Sequence, residues 1–217
     1  MDAQFWHQRW QEQQIGFHRT DVNPLLTTFF PILCVEPPAR IFIPLCGKTL
    51  DIHWLLAQGY QVCGAELSEQ AIQQLFQELG LNPKIEENEN FKHYFTDNID
   101  IFVGDIFNLT TKIVGHIDAV YDRAALVALP QSMRTVYAKQ VMTLSQHAPQ
   151  LLIQYEYDQD LMAGPPFSVS ESEMMQLYAN FSSKHLLKSE KLQNDKLNEH
   201  MGDQADILEK VWVLKNN

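Results

Sequence analysis

The stretch from Arg40 to Glu66, RIFIPLCGKTLDIHWLLAQGYQVCGAE, restricts the possible folds more than any other part of this chain. Arg40 to Pro44 is an apolar run too short for a buried helix, and Gly47 supplies a turn. Leu50, Trp54 and Leu55 then recur at helical spacing until Gly59 stops the helix. Tyr60 to Ala65 reads as a second strand. Strand, helix and strand in that order form a βαβ unit, and ligands of such sheets bind beyond the carboxyl ends of the strands. Gly47 and Glu66 both fall at that edge.

A glycine there lets a ligand approach the backbone, and amides at the start of the following helix offer hydrogen bonds to an anionic group. An acid about twenty residues further on stands where Rossmann-like folds place a carboxylate for the two ribose hydroxyls of a nucleotide. Gly47 and Glu66 therefore predict an adenosine-containing cofactor; an ordinary turn and an ordinary strand-end acid are the plainer alternative. The pyrophosphate fingerprint G-x-G-x-x-G is missing, because Lys48, Thr49, Leu50, Asp51 and Ile52 follow Gly47. Gly47-Lys48-Thr49 imitates the end of a P-loop, but Phe42 stands where that motif needs its first glycine. A nucleoside cofactor without a pyrophosphate remains, and S-adenosylmethionine fits.

The rest of the chain extends the same architecture. Asp2 is placed to cap a first helix carrying Phe5, Trp6 and Trp10, ended by Gly16-Phe17-His18; this aromatic stripe reads equally as core packing or as a lid over a ligand. Leu25 to Leu33 predicts a second helix before Pro37 and Pro38. Ser68 caps a helix with a buried face of Ala71, Ile72, Leu75, Phe76 and Leu79, closed by Gly80. The polar segment from Asn82 to Asn98 reads as an irregular loop with room for a hairpin. Ile99 to Val103 is a third strand, which brings Asp105 and Ile106 over the base of a nucleotide, although Asp105 also suits a solvated turn.

Ile117 to Tyr121 predicts a fourth strand ending in Asp122-Arg123, where Arg123 either holds an anion, pairs with Asp122 or is exposed to water. Pro130 and Ser132 open a long helix to Leu144, and Leu151 to Tyr155 is a fifth strand. A stiff loop, Gly164-Pro165-Pro166-Phe167, presents an aromatic ring at its tip. Ser170 and Glu173 form a capping box for a helix from Met174 to Phe181. Lys184 to Leu192 and Ile207 to Leu214 close the sheet as an antiparallel hairpin. The predicted fold class is α/β: a Rossmann-like, seven-stranded, mostly parallel sheet with helices on both faces and a C-terminal antiparallel hairpin.

With 217 residues, 45% of them hydrophobic, and no linker or repeat, the chain predicts one domain over 1–217, with 1–33 as an N-terminal helical lid or extension. A net charge of −11 argues against nucleic acid and anionic membrane surfaces, which reward basic faces, and leaves a small molecule as the expected partner. No secretory leader and no apolar stretch near the ~18 residues of a membrane span are visible, so the expected location is cytoplasmic. Three cysteines and eight scattered histidines lack metal-ligand spacing, so no metal site is expected. No spare apolar helix face stands out, which predicts a monomer.

Four stretches taken in order, WHQRWQEQQIGFH from Trp6, IPLCGK from Ile43, GAELS from Gly64 with DRAALVAL from Asp122, and GPPFSV from Gly164, resemble the thiopurine S-methyltransferase family, most of all its bacterial members. The resemblance implies a transferase moving the methyl group of S-adenosyl-L-methionine to the sulfur of aromatic or heterocyclic thiols, and to selenium or tellurium compounds. It implies that Trp10, Leu45, Glu66 and Arg123 contact the methyl donor and that Asp105 and Ile106 match the positions over its adenine. Phe17 then faces the substrate, and Arg123 lies near it and stabilises its anionic form as the catalytic residue. The segment from Lys188 to Gln204 departs most from the family pattern. An NAD(P)-dependent reductase and a non-catalytic nucleotide-binding regulator are the competing expectations.

Overall fold

Within each strand, alternate side chains point to opposite faces of the sheet, and that period-2 alternation divides the core in two. The computed structural model describes residues 3–192 and 207–216. Among these, nine strands make one sheet: β1 (Arg40–Pro44), β2 (Gln61–Glu66), β3 (Lys84–Glu87), β4 (Phe91–Phe95), β5 (Ile99–Gly104), β6 (Ala119–Arg123), β7 (Gln150–Glu156), β8 (Ser183–Lys191) and β9 (Leu208–Lys215). Their order is β3-β4-β5-β2-β1-β6-β7-β9-β8. β5, β2, β1, β6 and β7 run parallel, and both edges are antiparallel.

Ile41, Ile43, Val62, Tyr121, Leu151 and Ile153 pack on one face against α2 (Pro24–Phe29), α3 (Leu50–Ala57) and α4 (Glu69–Leu79). Phe42, Cys63, Ala65, Val120 and Leu152 pack on the other against α6 (Gln131–Leu144) and α7 (Glu171–Leu177). Covering both faces is what a parallel sheet requires, and it explains why these strands read as unbroken apolar runs.

All seven expected strands are present, and the expected hairpin is β8 and β9. At the opposite edge, Asn82 to Asn98 holds β3 and β4, the hairpin for which the sequence left room, so the loop is not irregular. β3 exposes every residue, so no apolar alternation marked it. β4 is held by stacking: the His93 ring lies 4.6 Å from that of Phe95 and 4.5 Å from that of Phe102. Its charged, exposed partner suits an edge strand that must not recruit another chain.

Helix boundaries also shift. α1 spans Ala3–Gln11 and ends before Gly16, because Gln13 adopts a left-handed conformation and its side chain donates to the Trp10 carbonyl at 3.1 Å. The Asp2 cap lies outside the described residues, as does most of the loop expected between β8 and β9. The second predicted helix is α2 followed by a 3-10 turn, Phe30–Leu33. α7 starts at Glu171 and stops at Leu177, and Ser170 caps it through the Glu173 amide at 3.1 Å. The capping box is incomplete, since the Glu173 carboxylate pairs with Arg134 at 2.7 Å.

Candidate active site

Parallel strands deliver their carboxyl ends to one edge, and at the ends of β1, β2, β5 and β6 a cavity of about 180 Å³ opens. Trp10, Phe17, Leu45, Gly47, Glu66, Asp105, Ile106 and Arg123, scattered along the sequence, all border it.

The turn after β1 is tightly built. Gly47 has a φ of +52°, and a Cβ there would sit 3.0 Å from the Trp10 ring, so both backbone and neighbour demand glycine. Leu45, two residues earlier, is left-handed at φ +48°, and Ala124, after β6, at +62°. Strained non-glycine residues at two adjacent strand ends are held by their surroundings, as functional sites often show.

Glu66 is 6% exposed. One carboxylate oxygen accepts from the Gly47 amide at 2.8 Å, the other from the Ser68 amide at 2.8 Å. Burial pushes its carboxyl above the usual range, against the opposing pull of these backbone donors. The Gly47 amide is thus engaged with Glu66 and is not free to bind an anion, while the amides expected to do so stand at the start of α3. Each oxygen of Glu66 keeps a further lone pair for hydroxyls entering the cavity.

Asp105 is exposed, and its side chain accepts from the Phe107 amide at 3.0 Å, capping the 3-10 turn Ile106–Asn108. Ile106 beside it is buried, its carbonyl held by Gln140 at 2.9 Å. On the opposite wall, Phe17 folds back edge-to-face on Trp6 and Trp10, at 5.7 and 5.6 Å. Trp10 is therefore both packed and cavity-lining, which unites the two readings of its stripe.

Alternation along β6 separates Asp122 from Arg123. Asp122 points away, accepting from the Tyr137 hydroxyl at 2.7 Å and the Leu126 amide at 3.2 Å, and burial raises its carboxyl to about 6. The two form no pair. Arg123 shares the cavity side with Tyr121, and its Nε is buried without a hydrogen-bond partner among the described residues. Burial disfavours its charge, but Tyr155, Tyr121, Asp51 and Glu209 outweigh that and raise its pKa.

Four further cavity residues escaped the sequence reading. Asp51 is buried in the first turn of α3, where its carboxylate accepts from the Asn23 amide at 2.8 Å and the Tyr121 hydroxyl at 3.0 Å. Tyr121 was detectable, since it lies two residues from Arg123 on the same strand face. Lys48 pairs with Glu78 at 2.7 Å, and His18 has its pKa lowered by burial and then by Lys48. No local pattern announced either. Cys46 is buried and its thiol raised by burial, a packing residue.

A second cavity of about 550 Å³ adjoins the first and shares Trp6, Phe17, Arg123, Ala124 and Ala128 with it. Gly164, Pro165 and Pro166 form part of its wall. The Phe167 ring does not project from that loop as expected. It turns toward Arg134, whose guanidinium lies 6.0 Å from the ring centroid, while its amide donates to the Val127 carbonyl at 2.6 Å.

This sheet order, with a glycine turn and a strand-end acid around one cavity, is the fold of the Rossmann-like S-adenosylmethionine-dependent methyltransferases. A Burkholderia thailandensis 1,6-didemethyltoxoflavin-N1-methyltransferase, solved with its substrate and S-adenosylhomocysteine, superposes with a TM-score of 0.66 at 14% identity, covering 99% of this chain and 87% of that one. TehB from Haemophilus influenzae gives 0.62 at 16% identity, covering 91% and 64%. The sequence profile of the thiopurine S-methyltransferase (TPMT) family matches residues 1–217. A thiopurine S-methyltransferase of Teredinibacter turnerae is 53% identical over 178 residues, 82% of this chain and 83% of that protein. One of Psychrobacter cryohalolentis is 42% identical over 221 aligned positions, 99% of each. The chain belongs to the thiopurine S-methyltransferase family and is an enzyme.

Proposed function

We propose that the enzyme transfers the methyl group of S-adenosylmethionine to the sulfur of aromatic and heterocyclic thiols such as thiopurines. The observation that carries this reading is that Arg123 and Phe17 border two adjoining cavities, one containing Gly47 and Glu66, the other walled by aromatic and proline residues. The first suits the donor: Glu66 takes the ribose hydroxyls, Ile106 and Asp105 flank the base, and Trp10 and Leu45 enclose it. The second suits a flat acceptor.

The donor supplies an electrophilic methyl group. The acceptor thiolate bonds to that carbon as the carbon–sulfonium bond breaks, the bonding pair stays on the donor sulfur, and the thiol proton has already left to solvent. Arg123, which borders both cavities, holds the acceptor as its anion. Trp6, Trp10 and Phe17 exclude water and offer aromatic faces to the cation. Positioning alone accounts for up to ~7 to 11 kcal/mol of barrier reduction, so no strong base is needed. Residues 1–33 act as the lid of one catalytic domain. Selenium and tellurium nucleophiles fit the same chemistry, being soft and anionic like a thiolate.

The test is transfer of a labelled methyl group to a panel of thiols, selenium and tellurium species. Methylation of aromatic thiols is expected, with Arg123→Ala lowering kcat/KM roughly 10- to 100-fold, as loss of a charged hydrogen bond implies. Binding of S-adenosylhomocysteine without transfer to any acceptor would leave a non-catalytic regulator as the better reading.

A further inference from the structure

We propose that Arg9 and Arg19, together with Arg123, make the second cavity selective for acceptors that carry an anionic substituent in addition to the reacting sulfur. This rests on the acceptor reading of that cavity given above.

The argument begins with how unevenly arginine is distributed. The chain has five arginines and a net charge of −11, yet Arg9, Arg19 and Arg123 border this one cavity. The other two are tied down. Arg40 pairs with Asp100 at 3.0 Å and also donates to the Val114 and His116 carbonyls. Arg134 pairs with Glu173 at 2.7 Å and donates to the Leu129 carbonyl at 2.9 Å. None of the three cavity arginines forms an ion pair among the described residues.

Arg9 lies over the Phe5 ring, 4.9 Å from its centroid, which orients the guanidinium without neutralising it. Tyr155 and the partly buried Glu209 are within electrostatic reach of Arg19 and Arg123, while Asp51, which also reaches Arg123, is already engaged by the Asn23 amide and the Tyr121 hydroxyl. A reacting thiolate accounts for one cation, Arg123, which alone of the three also borders the donor cavity. Arg9 and Arg19 border only the second cavity, so they face the part of the acceptor remote from the methyl group. Guanidinium groups bind planar oxyanions in two-pronged fashion, which makes a carboxylate on an aromatic ring the natural match.

The experiment compares 4-mercaptobenzoate with the isosteric neutral 4-mercaptobenzamide as acceptors for the full chain, for Arg9→Gln, Arg19→Gln and the double variant, and for Arg19→Lys. Wild type should prefer the carboxylate in kcat/KM, and the double variant should lose that preference at least tenfold, mainly through KM. Arg19→Lys should keep part of it, and rising salt should erode it in wild type. Calorimetry with 4-(methylthio)benzoate, in the presence of S-adenosylhomocysteine, reads binding alone, and its affinity should fall in parallel. An unchanged preference in the double variant, with both thiols still methylated, overturns the arginine assignment while leaving the acceptor cavity standing. Methylation of neither thiol by wild type that still binds S-adenosylhomocysteine overturns the acceptor reading, and this inference with it.

Discussion

Glu66 shows how a single side chain serves stability and binding together. Its two oxygens satisfy the Gly47 and Ser68 amides, so removing the carboxylate strands buried donors, each worth about 1 to 3 kcal/mol. Glu66→Ala should therefore lower the melting temperature as well as the affinity for S-adenosylhomocysteine, by roughly tenfold or more. An unchanged affinity in calorimetry would remove Glu66 from the donor site. Asp122 is a titration test of a different kind. Its folded pKa of about 6 stands above its ordinary value, so the folded state binds the extra proton. Stability from this group is full below the unfolded pKa and declines as pH rises toward 6, by on the order of 3 kcal/mol. Asp122→Asn should flatten that decline between pH 4 and 6.5 in denaturant titrations; parallel curves for the two proteins would contradict it.

At the scale of elements, the strand ends and the N-terminal helix depend on joints that composition does not display. Gly104 closes β5 at φ +155°, and a Cβ there would lie 2.7 Å from the Asn90 carbonyl oxygen, in the turn of the β3–β4 hairpin. Gly104→Ala should therefore loosen the hairpin and the start of the Asp105–Ile106 turn, destabilising by about 1 to 3 kcal/mol. A thermal melt unchanged from wild type would mean that the hairpin yields freely. The N-terminal segment has a comparable joint: Trp10 packs on Gly47 and Phe17 on the two tryptophans, and α1 also meets α4. The strands of the hairpin could not be placed because an exposed edge strand lacks an apolar face. The early end of α1 was hidden because a left-handed glutamine did what the sequence suggested a glycine would do.

For the whole molecule, a donor bridging the ends of β1, β2, β5 and β6 under α1 would add contacts across several separate segments of the chain. S-adenosylhomocysteine at about a hundred times its Kd adds ~2.7 kcal/mol, which should raise the melting temperature by roughly 5 to 10 °C. NADH should produce no shift; the opposite pattern would favour a reductase. Among the described residues no helix is long and apolar enough to cross a membrane. With both faces of the sheet covered, two joined cavities open at its carboxyl edge.

The sequence alone determined the βαβ start, where along the chain the parallel strands lie, and the placing of Gly47, Glu66, Asp105 and Arg123 at strand ends. Each of those follows from local periodicity and from turn residues, which act within a few positions of one another. Only the tertiary structure decided which face Asp122 and Arg123 take, that Glu66 holds the Gly47 amide, that Asp51 meets Tyr121, and that three of five arginines gather around one cavity. Those pairings join residues distant in the chain, and burial, not sequence spacing, selects them.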